Sequence, residues 1–107
     1  MPKYQIQPVY TADGLKALLK DGGTKRRAAI EQAAESVGGR PETFHSGFGS
    51  DDVHMILDAP GNVSVAAVSL TAGAGGAATN IRTTGLLTSA EIDQGAQKTV
   101  SYKPAGQ

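Results

Sequence analysis

The hydrophobic period of this chain switches in one order: strand, helix, strand, strand, helix, strand. That order leaves few folds open. Residues 3–10 alternate Tyr4, Ile6 and Tyr10 against Gln5 and Gln7, as a half-buried strand does. Pro8 has no backbone donor and fits where that missing donor faces away from a neighbour. Thr11 then caps a helix, with Tyr10 before it and Leu15 after it as a hydrophobic staple. Leu15, Leu18 and Leu19 form that helix's apolar stripe. Gly22-Gly23 interrupts the pattern, and Thr24 is the expected cap of a second helical segment. Ala29, Ile30, Ala33, Ala34 and Val37 recur there at helical spacing, with Arg26, Arg27, Glu31 and Glu35 outside. Gly38-Gly39 closes it as a left-handed helix end. The two segments read equally as two helices or as one long kinked element.

Residues 42–48 and 52–58 form the expected hairpin around Gly49-Ser50-Asp51. Phe44, Ser46 and Phe48 share one of its faces, as do Val53, Met55 and Leu57. Asn62 is the expected cap of an Ala/Val-rich helix running to about Ala72. A glycine connector from Gly73 to Gly76 leads into a last strand over residues 77–86. Thr88-Ser89-Ala90-Glu91 matches a capping box that opens a short terminal helix. The expected domain spans residues 1–97, and residues 98–107 form a tail with few core signals. The order is that of a ferredoxin-like α+β fold: βαββαβ, a four-stranded antiparallel sheet with two main helices on one face.

Composition adds a second constraint. The 107 residues suffice for one domain, and 39% are hydrophobic, but much of that fraction is Ala. With no Trp, two Phe and three Tyr, few large side chains can anchor a core. A homo-oligomer is therefore expected, a dimer or a multiple of dimers, because assembly buries further surface. Ten Lys and Arg balance ten Asp and Glu, and Lys25-Arg26-Arg27 is the sole sustained basic stretch. Nucleic acid is not an expected partner. No cysteine is present, which excludes disulfides, thiol catalysis and thiolate metal sites. The start of the chain lacks the apolar segment of a signal peptide, and no apolar run reaches membrane-spanning length. A soluble, cytoplasmic protein without membrane contact is expected.

Several motifs, taken together, resemble a known family. They are Met1-Pro2-Lys3-Tyr4, the stretch from Gly22 through Lys25-Arg26-Arg27 to Ala29, Phe48-Gly49 ahead of Asp52-Val53, and Arg82-Thr83-Thr84 with Leu86-Leu87-Thr88. In order and spacing they resemble the GYD-domain family over roughly residues 1–95. Where that family has a tyrosine before its aspartate, this chain has Asp51 before Asp52. The resemblance implies a dimeric α/β barrel, in which two ferredoxin-like sheets face each other. That wider group includes monooxygenases, isomerases, haem enzymes and regulatory ligand-binding modules, so the resemblance implies no single reaction.

The hairpin holds both histidines. Pairing Phe48 with Val53 sets Gly47 opposite His54 and His45 opposite Ile56. His45 and His54 are then diagonal neighbours on the face turned away from Phe44 and Met55. Gln5, Gln7, Asn80 and Arg82 join that face if Tyr4, Ile6 and Ile81 turn toward the helices. Two readings follow: a ligand site with a histidine as base or metal ligand and Arg82 holding an anion, or a solvated dimer face. A slip of one residue would reverse every assignment.

Neither histidine stands in a metal-ligand spacing, no long helix offers one to haem, and no metal or cofactor is expected. Gly22-Gly23 with Thr24, Lys25 and Arg26 is a second candidate, for an anion at a helix start; the plainer reading is solvated basic residues. Residues 73–76 follow a helix and lack the setting of a dinucleotide-binding turn. Asp51 and Asp52 are expected to cap their own turn. No serine occupies a nucleophile elbow. Three functions stand open: a module binding a small molecule or a protein, a cofactor-independent isomerase or monooxygenase using His45 or His54 as base, and a structural assembly subunit.

Overall fold

The computed structural model describes residues 1–107. Its elements are β1 (Lys3–Tyr10), α1 (Ala12–Asp21), α2 (Gly23–Glu35), β2 (Arg40–Ser46), β3 (Val53–Asp58), α3 (Asn62–Ala74), β4 (Ala78–Leu86) and α4 (Ser89–Ala96). The strands form one four-stranded sheet in the order β2-β3-β1-β4. Every pairing is antiparallel. This is the α+β ferredoxin-like arrangement expected from the sequence. No helix is long and apolar enough to cross a membrane.

The two central strands carry the core because their side chains alternate strictly. Tyr4, Ile6 and Tyr10 of β1 and Val53, Met55 and Leu57 of β3 are all buried. Their neighbours Gln5, Gln7 and His54 point the other way, since successive strand residues face opposite sides. Ala34 of α2 and Val65 of α3 close over the buried face, with Leu18, Ile30, Phe44 and Ile81 packed around them. Val53 and Leu57 are fully buried, each contributing about 1.5–3 kcal/mol by leaving water. Of the nine residues at the centre of this layer, six come from β1 and β3, so the strands supply most of its buried area.

Several local expectations shift. Gly22 has φ +83°, a conformation that favours glycine, and it breaks the helical stretch into α1 and α2. Gly22, and not Thr24, stands at the N-cap of α2. Leu15 and Leu19 are exposed; of that stripe only Leu18 packs against the core. Likewise Gly61 precedes α3, and Asn62 lies inside it, where its Oδ1 accepts a hydrogen bond from the Tyr4 hydroxyl at 2.7 Å. That contact draws on the side chain expected to cap the helix. α3 runs on to Ala74, so the glycine connector begins later than its composition suggests. The Thr88–Glu91 capping box forms as expected. Residues 97–107 carry no helix or strand.

The hairpin register also differs. His45 pairs with His54 and Phe44 with Met55, an offset of two residues from the expected pairing. An offset of two preserves every facing, whereas an offset of one would have inverted it. Its cause is the loop: Gly47 N donates to Asp52 O, which closes the turn earlier and leaves Phe48 fully exposed outside the strand.

α1 is fixed at its start. Thr11 Oγ1 accepts from Gly14 N and donates to Gly76 O, while Thr11 N donates to Ala77 O. A Cβ on Gly14 would lie 2.0 Å from Ala77 O. Glycine to alanine inside a helix normally stabilises by about 0.5–1 kcal/mol. At Gly14 the clash should reverse that sign. Gly14→Ala is expected to lower the urea midpoint, and Gly73→Ala in α3, whose Cβ would meet nothing within 4 Å, to raise it or leave it unchanged. Equal effects at the two positions would show that α1 is not seated against Ala77.

Candidate functional site

The helix-free sheet face brings together five of the six residues expected there. Gln5 and Gln7 project from β1, His45 from β2, His54 from β3 and Arg82 from β4. Gln7 pairs with Arg82 and His45 with His54 across neighbouring strands. The sixth, Asn80, does other work. Gln7 pairs with Arg82 but Val9 pairs with Thr79, so Pro8 stands opposite both Asn80 and Ile81 in a bulge. Asn80 has φ 45°, a region that asparagine enters more readily than most side chains. The bulge falls where Pro8 has no donor to give.

The loop between β2 and β3 reaches into this face. Asp51 is 6% exposed, and its Oδ2 accepts from Arg82 Nη2 and from Gln7 Nε2, the latter at 3.4 Å. Gln7 Nε2 also lies 3.4 Å from His54 Nδ1. An amide NH2 can only donate, so this contact is a hydrogen bond in the tautomer of His54 whose Nδ1 accepts and whose ring proton stands on Nε2. The ring lies against Gly47, where a Cβ would come within 3.0 Å of Nε2. The result is a chain of polar contacts, Arg82–Asp51–Gln7–His54, with His45 across the hairpin.

Asp52 binds β1. Its Oδ2 accepts from Tyr10 N at 2.7 Å, and its N donates to Pro8 O at 3.1 Å. The expectation that both aspartates cap their own turn is thus corrected. They tie the loop to β1 and β4, because the end of β1 beyond the β3 pairing offers otherwise unpaired backbone groups.

A second cluster sits at the opposite end of the same face. Lys3 Nζ lies 2.8 Å from Asp58 Oδ1 and 2.7 Å from Glu42 Oε2, Glu42 being the extra residue of a bulge in β2. The Lys3 hydrogen bond holds the Asp58 carboxyl below its ordinary range, against a smaller opposing effect of desolvation. Lys3 is raised, chiefly by Asp58 and then Glu42.

Of the residues expected to hold an anion, Thr24 and Lys25 are exposed and Arg26 turns inward. The Arg26 guanidinium stands 5.8 Å from the Tyr10 ring centroid, and its Nε is buried without a hydrogen-bond partner. Arg26 lines an apolar cleft of about 260 Å³ between α2, α3 and the sheet, floored by Ile6, Met55 and Ile81. The sequence reading missed this cleft. The runs of alanine were visible, but not that two alanine surfaces would face each other across a gap. No group of three or more carboxylate and imidazole side chains is placed to hold a metal ion.

The family model of the GYD domain matches residues 4–96. The chain belongs to the GYD domain family. No curated protein and no solved structure matches it. In this GYD-domain chain the aspartate expected at the family's tyrosine position, Asp51, is the one that receives Arg82.

Two predictions follow from these clusters. Arg82→Met leaves a buried carboxylate with one long contact and should cost about 1–3 kcal/mol. Combined with Asp51→Asn it should cost less than the two single changes together; strict additivity in urea titrations would deny the pair a stabilising role. For Asp58 the native pKa lies below the unfolded one, so its contribution is full above the ordinary carboxylate range and is lost as pH falls through the native value. Unfolding midpoints should therefore drop as pH falls below the ordinary carboxylate range, with a shallower drop in Asp58→Asn. Lys3 acts at the other extreme, its contribution fading only as pH rises beyond the ordinary lysine range.

Proposed function

We propose that this GYD-domain protein is a small-molecule-binding module that works as a homo-oligomer, holding a polar ligand on its helix-free sheet face between copies. The observation that carries this reading is the Arg82–Asp51–Gln7–His54 chain. A carboxylate as buried as Asp51 is unfavourable unless its charge is matched, and here the match also fixes Arg82, Gln7 and His54 in place. Arg82 is half exposed and keeps further N–H donors for an acceptor group. In the tautomer that accepts from Gln7, neutral His54 offers an Nε2 donor, Gln5 an amide, and His45 a ring on the adjacent strand. Groups held in position before binding lose less freedom when a ligand arrives.

Assembly has its own support. The sheet face has no helix over it, and Leu87, Ile92, Val100 and Tyr102 leave apolar side chains in water before, on and after α4. A second copy facing the sheet would turn an open surface into an enclosed site.

The enzyme reading, with His45 or His54 as base, draws on the pairing of the two residues across the hairpin. It is weakened at His54, because in that tautomer the nitrogen free to meet a substrate carries the proton. His45 is then the residue on which an isomerase-like or monooxygenase-like reaction would rest.

Light scattering and NMR titration test the binding reading. The full chain should behave as a dimer or larger at concentrations of about 100 µM. Ile56→Glu, a charge placed in the middle of the face, should give a monomer with an unchanged circular dichroism spectrum. Oxalate, used as a probe, should shift the Gln7 and Gln5 side-chain amides in the native protein and not in Arg82→Met. A monomeric native protein, or oxalate shifts that survive in Arg82→Met, would defeat the proposal.

A further inference from the structure

The cleft between α2 and α3 lies on the other side of the sheet from the polar face, and its chemistry is different. Its helical walls are apolar and rich in small side chains: Ala29, Ile30 and Ala33 on one side, Ala67, Val68 and Ala72 on the other. Its floor, Ile6, Met55 and Ile81, is apolar. One charged side chain lines it, Arg26, and that charge has no counterpart in the chain.

The contrast with the next residue shows why. Arg27 meets Glu31 one helical turn on, at 2.8 Å, while the residue one turn beyond Arg26 is Ile30. No ion pair to Arg26 forms from any other element, and its buried Nε donates to nothing. The Tyr10 ring satisfies the cation in part and leaves its hydrogen bonds unmade. An apolar cleft with an unpaired, partly buried guanidinium is complementary to a molecule with an apolar body and one anionic end.

We infer that the cleft binds a medium-chain monocarboxylate, its hydrocarbon between the helical walls and its carboxylate on Arg26. Size sets the chain length. A dry cavity of roughly 150 Å³ accommodates benzene, so the cleft of about 260 Å³ suits roughly ten non-hydrogen atoms, the size of octanoate. A guanidinium receives a carboxylate through two parallel hydrogen bonds, here from the terminal nitrogens of Arg26. This site is independent of the polar face and does not rest on the function proposed for it.

The test uses the full chain with octanoate and its neutral analogue 1-octanol, followed by calorimetry and by NMR shifts. Octanoate should bind at least about tenfold more tightly than 1-octanol, with shifts at Ala29, Ala33 and Ile81. Arg26→Gln should erase that preference and leave 1-octanol binding unchanged. Ala33→Leu, which narrows the cleft and keeps Arg26, should weaken both. Equal binding of the two probes by the native protein would overturn the assignment of the carboxylate to Arg26. Failure of octanoate to bind would overturn the site itself, and so would contacts from the cleft alanines to a second copy in its place. Shifts confined to Gln5, Gln7 and His54 would transfer the ligand to the polar face and equally reject the cleft.

Discussion

The strict alternation of β1 and β3 is the constraint on which the other features depend. Six side chains from these two central strands form most of the buried layer, and they can do so only if their neighbours face the opposite side. One pattern therefore builds the core beneath the helices and, with the same residues' alternates, the polar face behind it. Shifting either strand by one residue would put glutamines and histidine into the core and tyrosine and isoleucine into water. This is why a two-residue difference in the hairpin register changes which residues pair but not which face they occupy.

Polar ties complete what a light core leaves loose. The loop after β2 is secured by two adjacent aspartates that act in different directions. Asp52 supplies the end of β1 with an acceptor, and Asp51 draws Arg82 and Gln7 together across the neighbouring strands. The Pro8 bulge belongs to the same device. It gives Pro8 a place where its missing donor is not needed, and it lets Asn80 take the unusual backbone conformation there. The face that holds the candidate site is thus also the face whose strand ends need fastening.

The alanine content acts on the helical side. Small side chains let Ala34 approach the sheet closely, yet they cannot fill the space between α2 and α3, and the cleft follows from that shortage of volume. Arg26 is left at this cleft because the helical neighbour that would have paired with it is apolar. The polar face and the apolar cleft thus lie on opposite sides of one sheet and differ in chemical character.

Local pattern alone determined the element order, the antiparallel sheet, the burial of Tyr4, Ile6, Val53, Met55 and Leu57, and the shared face of Gln5, Gln7, His45, His54 and Arg82. Those features follow from periodicity, which any stretch of sequence displays without reference to the rest. Asp51 and Asp52 were visible as turn residues, but their partners lie in β1 and β4, far away along the chain. Asn62 was legible as a cap and became a partner of Tyr4 for the same reason. The cleft and the unpaired Arg26 depend on how two helices stand against one sheet, a distance that no local pattern carries. Tertiary structure decided these because each is set by the meeting of residues remote in sequence, where packing and unmet hydrogen bonds override local preference.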